Sequence, residues 1–183
     1  MHTTATAPST HPLAFLDGRI ILPDRLVEGQ ALLVDGPRVA GLVAPSELPT
    51  GCERVDVSGR LIAPGLIDIH THGARGRSFN EADLEAWRTV AEEQARHGVT
   101  SLLATPAGAP LPDLLACLQT AREWLTQARP GAQVLGVHLE GPYFSPAFRG
   151  AQGLASLRTP DDTSPDAILA FQDVLRLVSF APE

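Results

Sequence analysis

The sequence contains no lysine, so all 14 of its basic residues are arginine. That absence excludes Schiff-base lysine chemistry, a P-loop lysine and a carbamylated lysine bridging two metals. Cysteine is scarce: Cys52 and Cys117 are far apart and show no C-x-x-C spacing. A disulfide framework is therefore not expected, and the pattern fits a reducing compartment with both thiols as small core or surface residues. No apolar run approaches the roughly 18 residues of a membrane span. Residues 1–12 are Thr, Ala, Ser and Pro without an apolar stretch, and read as a loose, disordered tail rather than a secretory signal. The expected location is cytoplasmic, with no membrane partner. Positive charge is also short, since 14 basic against 21 acidic side chains give a net charge of −7. Without a net positive field, a nucleic-acid partner is not expected either.

What is present is ordinary globular composition: 183 residues, 44% hydrophobic and 19% charged. A chain of that length buries roughly 70% of its unfolded surface and needs no cross-links to form a core. Residues 13–60 show short apolar runs separated by turn pairs, with Asp17-Gly18 and Asp35-Gly36 as hairpin signals. After Gly59 the rhythm changes. Leu61 to His70 reads as a strand buried on both faces, and Glu81 to His97 as a helix with Ser78-x-x-Glu81 as its capping box and Gly98 as its stop. Leu84, Trp87, Val90, Ala91 and Ala95 form its apolar stripe. Strands follow at Val99 to Ala104, Val134 to Leu139 and Val174 to Phe180, with helices near Pro112 to Ala128 and Pro165 to Gln172. This alternation predicts a parallel sheet with helices outside it, as a doubly wound sheet or a β/α barrel. No G-x-G-x-x-G turn supports dinucleotide binding, and a barrel of about 250 residues would be only half present.

His70-Thr71-His72 stands where the first buried strand ends. Side chains at i and i+2 share a face, and two imidazoles so placed converge on one ion. Asp68 has the same parity and serves either to orient a ligand or as a buried structural carboxylate. Glu140 ends the third strand, just before Gly141-Pro142. With lysine absent, it is the candidate anionic metal ligand. His138 shares its parity and is read as a satisfied core histidine before a pocket residue. His97 suits a helix end. Arg75, Arg77 and Arg149 follow strands and would meet an anion, although solvated arginines are commoner. Phe79, Trp87 and Trp124 are packing residues, and His2 and His11 incidental.

Pro64-Gly65-Leu66-Ile67-Asp68-Ile69-His70-Thr71-His72-Gly73 resembles the first strand of the amidohydrolase superfamily. His138-Leu139-Glu140-Gly141-Pro142-Tyr143-Phe144, with Arg149-Gly150-Ala151, is narrower and resembles the N-acetylglucosamine-6-phosphate deacetylase family, as do Gly98-Val99-Thr100-Ser101 and Ala181-Pro182-Glu183. One departure is Gln152, where members usually carry His.

The resemblance implies a metal-dependent α/β fold: part of a small β-sandwich over residues 13–60, then the first four β/α units of a TIM-type barrel over 61–183. It implies a divalent metal, Zn or Fe, held by His70, His72 and Glu140, and a phosphorylated amino-sugar substrate contacted by the backbone at Ala151. The reaction is removal of the acetyl group from N-acetylglucosamine 6-phosphate, by a homodimer when complete. The family's aspartate acid/base would lie beyond Glu183, so no catalytic residue is expected in this chain, which is expected to be inactive alone. Rival readings are a dihydroorotase-like enzyme, an N-acyl-amino-acid deacylase, or a non-catalytic metal-binding or interaction fragment.

Overall fold

The computed structural model describes residues 11–162 and 164–182. The expectations for residues 1–10, including His2, lie outside the described residues. The chain divides between Pro64 and Gly65 into two compact units.

The first unit holds β1 (Leu13–Leu16), β2 (Arg19–Ile21), β3 (Leu26–Val27), β4 (Ala31–Asp35), β5 (Arg38–Val43), β6 (Glu53–Asp56) and β7 (Leu61–Ile62). They form two small sheets, ordered β5-β4-β1-β6 and β3-β2-β7. Ala14, Ile20 and Ala31 are its buried apolar residues. Of the two Asp-Gly signals, Asp35-Gly36 closes the β4–β5 hairpin, with Asp35 opposite Arg38. Asp17-Gly18 does not close a hairpin. β1 and β2 belong to different sheets, so this turn passes the chain from one to the other, with Asp17 itself at positive φ. The two turns also differ locally, since Gly36 takes the positive φ in the hairpin whereas Asp17, not Gly18, takes it here.

The second unit contains β8 (Leu66–Thr71), β9 (Gly73–Ala74), β10 (Arg77–Ser78), α1 (Leu84–Arg96), β11 (Val99–Ala104), α2 (Leu111–Trp124), β12 (Gln133–Glu140), α3 (Ser164–Leu169) and β13 (Leu175–Ser179). Its central sheet is parallel throughout, ordered β13-β12-β11-β8. The expected single strand from Leu61 to His70 is two strands. Leu61 and Ile62 pair with β2, and β8 begins after Pro64, which has no N–H for a ladder. Gly65 suits the join because a Cβ there would lie 2.1 Å from Thr100 Cγ2.

β8 is also not buried on both faces: Leu66, Ile67 and Ile69 are 62%, 67% and 56% exposed. It is a sheet edge among the described residues, and α1 packs chiefly on β9, β10 and β11, reaching β8 through Gln94 Nε2, which donates to Thr71 Oγ1 at 3.1 Å. Helix α1 starts later than expected. Asp83 caps it by accepting from the Glu85 N–H at 3.0 Å. Ser78 is already paired with Gly73 in the β9–β10 hairpin, and its N–H donates to Glu81 Oε1 at 2.8 Å, so this contact closes a turn ahead of the helix. On α1, Ala86, Trp87, Val90 and Ala91 are buried, whereas Ala95 is exposed.

The core lies between this sheet and the helices α1 and α2. Trp87 packs edge-on against Phe79 with ring centroids 5.0 Å apart, and lies 6.1 Å from Trp124. Leu102, Leu114, Leu118, Val137 and Leu139 complete the layer. Because Val137 and Leu139 face the helices, the strand alternation turns His138 and Glu140 to the opposite face.

Candidate metal centre

His70 and His72 sit at and just past the end of β8, and Glu140 is the last residue of β12. β11 runs parallel between these strands, which brings their carboxyl ends to one side. His72 Nε2 lies 3.5 Å from Glu140 Oε2, and His70 Nε2 lies 4.0 Å from Glu140 Oε1. One ligand atom from each of the three falls within 4.8 Å of the others. Donors about 2.1 Å from a tetrahedral ion would be about 3.4 Å apart, so the trio would have to draw together by up to about 1.4 Å to share one. Two imidazole nitrogens and a carboxylate oxygen are a donor set suited to a borderline divalent metal.

The supporting contacts aim these side chains. His72 Nδ1 donates to the Thr105 carbonyl at 2.9 Å, which leaves Nε2 bare toward Glu140. Thr105 is buried, and its Oγ1 accepts from the Thr71 N–H at 3.2 Å, fixing the residue between the two histidines. Asp68 Oδ1 accepts from the His70 backbone N–H at 3.0 Å. Glu140 is followed by Gly141 at φ 90°, where a Cβ would also press on the Phe144 ring at 2.8 Å. The chain therefore turns away immediately after the carboxylate.

Other candidates have different surroundings. Ala151 is exposed in a turn closed by the Gln152 N–H donating to the Arg149 carbonyl at 3.2 Å. Gln152 Oε1 accepts from the Gly108 N–H at 2.9 Å, tying the loop after β12 to the loop after β11. Arg75 pairs with Glu93 at 3.1 Å, Arg77 with Glu81 at 3.1 Å and with Asp83, and Arg149 donates to the Gln152 carbonyl. These three arginines are thus held by acceptors of their own chain. His97 meets Glu93 at 3.3 Å at the end of α1. Sequence reasoning missed Thr105 and Ser179, the latter 2.8 Å through Oγ from His138 Nε2. Ser179 faces Glu140 only through the β12–β13 register, which no periodicity reveals.

The amidohydrolase family profile matches residues 61–183, two strand ends bearing the trio included. The chain belongs to the amidohydrolase family. Among curated proteins it is 35% identical over 144 residues to an N-acetylgalactosamine-6-phosphate deacetylase of Escherichia coli O157:H7, covering 78% of this chain and 38% of that protein. It is 36% identical over 137 residues to the human N-acetylglucosamine-6-phosphate deacetylase, covering 72% of this chain and 33% of that one. Among solved structures, the N-acetylglucosamine-6-phosphate deacetylase of Pasteurella multocida superposes with a TM-score of 0.87 at 26% identity, over 94% of this chain and 45% of that chain. This amidohydrolase chain therefore spans less than half the length of these relatives, and its parallel sheet matches part of their barrel fold. Membership in the family implies a divalent metal. No helix among the described residues is long and apolar enough to cross a membrane.

Proposed function

We propose that this chain carries the metal-binding strands of a hydrolase that removes the acetyl group from N-acetylglucosamine 6-phosphate, giving glucosamine 6-phosphate and acetate. The observation that carries the reading is the convergence of His70, His72 and Glu140 within 4.8 Å at the carboxyl ends of β8 and β12. The relatives' names supply the substrate class, an acetylated hexosamine 6-phosphate. The donor set favours Zn or Fe. A divalent ion held there supplies Lewis acidity to polarise an acyl carbonyl and to lower the pKa of water.

The chain's own residues supply the setting. His72 offers Nε2 because its Nδ1 proton is committed to the Thr105 carbonyl. Glu140 contributes the negative charge, and its half-shielded carboxylate faces both imidazoles. Ala151, in the exposed turn after β12, is assigned a backbone contact to the sugar. Residues 13–60 are assigned to part of a small β-sandwich, which β7 (Leu61–Ile62) extends by pairing with β2, and the strands from Leu66 onward to the first four β/α units of the barrel. The partners in this reading are the phosphorylated amino sugar and a second copy of the protein, in the cytoplasm.

The test is hydrolysis by the zinc-loaded native protein, read as acetate release from N-acetylglucosamine 6-phosphate, its galacto isomer and N-acetyl amino acids, and as carbamoyl aspartate formation from dihydroorotate. Turnover of the acetylated hexosamine phosphate, with little of the others, is expected. Preferential hydrolysis of an N-acyl amino acid or of dihydroorotate would overturn the assignment.

A further inference from the structure

Strand β8 carries a bulge beside the metal trio. Asp68 pairs with Leu102 and Thr71 with Ala104, so β8 advances 71 − 68 = 3 residues while β11 advances 104 − 102 = 2. An extra residue of this kind leaves main-chain groups off the ladder, and here two of them take side-chain partners. The His70 N–H takes Asp68 Oδ1 at 3.0 Å. The Ile69 carbonyl takes His138 Nδ1, also at 3.0 Å. His138 is only 4% exposed, and its Nε2 lies 2.8 Å from Ser179 Oγ. The same Nδ1 lies 3.3 Å from His70 Nδ1, with the two rings 5.0 Å apart.

These contacts fix the tautomers. A carbonyl oxygen only accepts, so His138 carries its proton on Nδ1 and its Nε2 accepts from the Ser179 hydroxyl. Two nitrogens that face each other can share one hydrogen. His70 Nδ1 is therefore bare in this arrangement, and the His70 proton sits on Nε2, the atom turned toward Glu140. For His70 to offer Nε2 to a cation, its proton must stand on Nδ1. That requires a bare Nδ1 on His138 and a proton on His138 Nε2. The Ser179 hydroxyl suits both arrangements, since it accepts as readily as it donates.

We propose that His138 is a positioning residue whose tautomer, set between the Ile69 carbonyl and Ser179, determines which nitrogen of His70 is bare. In the exchange one proton leaves His70 Nε2 for solvent and one reaches His138 Nε2 from solvent. The His138 Nδ1 proton passes to His70 Nδ1, so no net proton is taken up. The Ile69 carbonyl gives up its donor, which holds the metal-free site in the first arrangement until an ion compensates. The metal-bound half of this inference rests on the proposed metal site. The metal-free half stands on the hydrogen bonds alone.

The experiment is two-bond proton–nitrogen correlation NMR on protein labelled with 15N-histidine, before and after addition of zinc. Without metal, His138 should show the Nδ1–H tautomer and His70 the Nε2–H tautomer. With zinc, His70 should become Nδ1–H and His138 Nε2–H, a swap that a purely structural His138 would not undergo. A metal-free His70 with its proton on Nδ1, or zinc binding at His70 with His138 still in its Nδ1–H form, would overturn the inference. If zinc leaves the His70 and His72 signals unchanged, the metal site itself is refuted, and the metal-free tautomer pair still decides the coupling.

Discussion

Replacing Glu140 with Gln tests the charge at the centre of the proposed site. The change keeps the side-chain volume and removes the one anionic donor of the trio. The carboxylate oxygens lie 3.5 Å from His72 Nε2 and 4.0 Å from His70 Nε2, so each has a place in the shell of a shared ion. Changes to groups that merely orient a metal ligand already weaken binding by about 10- to 100-fold. Loss of a ligating carboxylate should therefore cost about 100-fold or more in zinc Kd, equivalent to about 2.7 kcal/mol. The assay is competitive titration against a chromophoric zinc chelator at fixed pH, with circular dichroism to confirm that both proteins are folded. A Glu140→Gln Kd within threefold of the unsubstituted protein would refute the ligand role.

Trp87→Ala should destabilise the second unit by about 3–5 kcal/mol, because it empties a fully buried site against Phe79 and loses the indole N–H bond to the Glu81 carbonyl; urea unfolding followed by circular dichroism checks this. Burial pushes the Cys117 thiol up to about 11, with Asp113 adding to the rise. Iodoacetamide at pH 8 should leave it unmodified in the folded protein and label it in urea, as read by intact mass. The Arg122 guanidinium bonded to Asp173 holds that carboxyl below its ordinary range. A lowered folded pKa stabilises above the unfolded value of about 3.9 and loses that contribution as pH falls through the folded value. Arg122→Met should thus flatten the acid limb of the stability profile below about pH 4, by a small amount because the pair is exposed.

The periodicity of two explains why so much of the site was legible. Asp68, His70 and His72 share one parity, as do His138 and Glu140, and an apolar strand ending in such residues announces both its face and its direction. The helices were legible in place but not in their ends. Ser78 and Glu81 do meet, yet the β9–β10 hairpin claims Ser78 and leaves the capping to Asp83. Asp17-Gly18 misleads for a related reason, since a turn residue states that the chain bends and not which strands pair beyond it. The contacts around His138 were hidden altogether. They depend on the bulge in β8 and on the register that sets Ser179 beside Glu140, and both arise from pairing between segments distant in sequence. The exposure of Ile67 and Ile69 was hidden for the same reason, because an apolar strand looks alike at the edge and in the middle of a sheet.

Anomalous diffraction at the zinc absorption edge, from crystals of the zinc-loaded protein, tests the shared metal site most directly. An anomalous peak about 2.0–2.2 Å from His70 Nε2, from His72 Nε2 and from an oxygen of Glu140 is the predicted result. A zinc peak held by other side chains, with these three left uncoordinated, would contradict it.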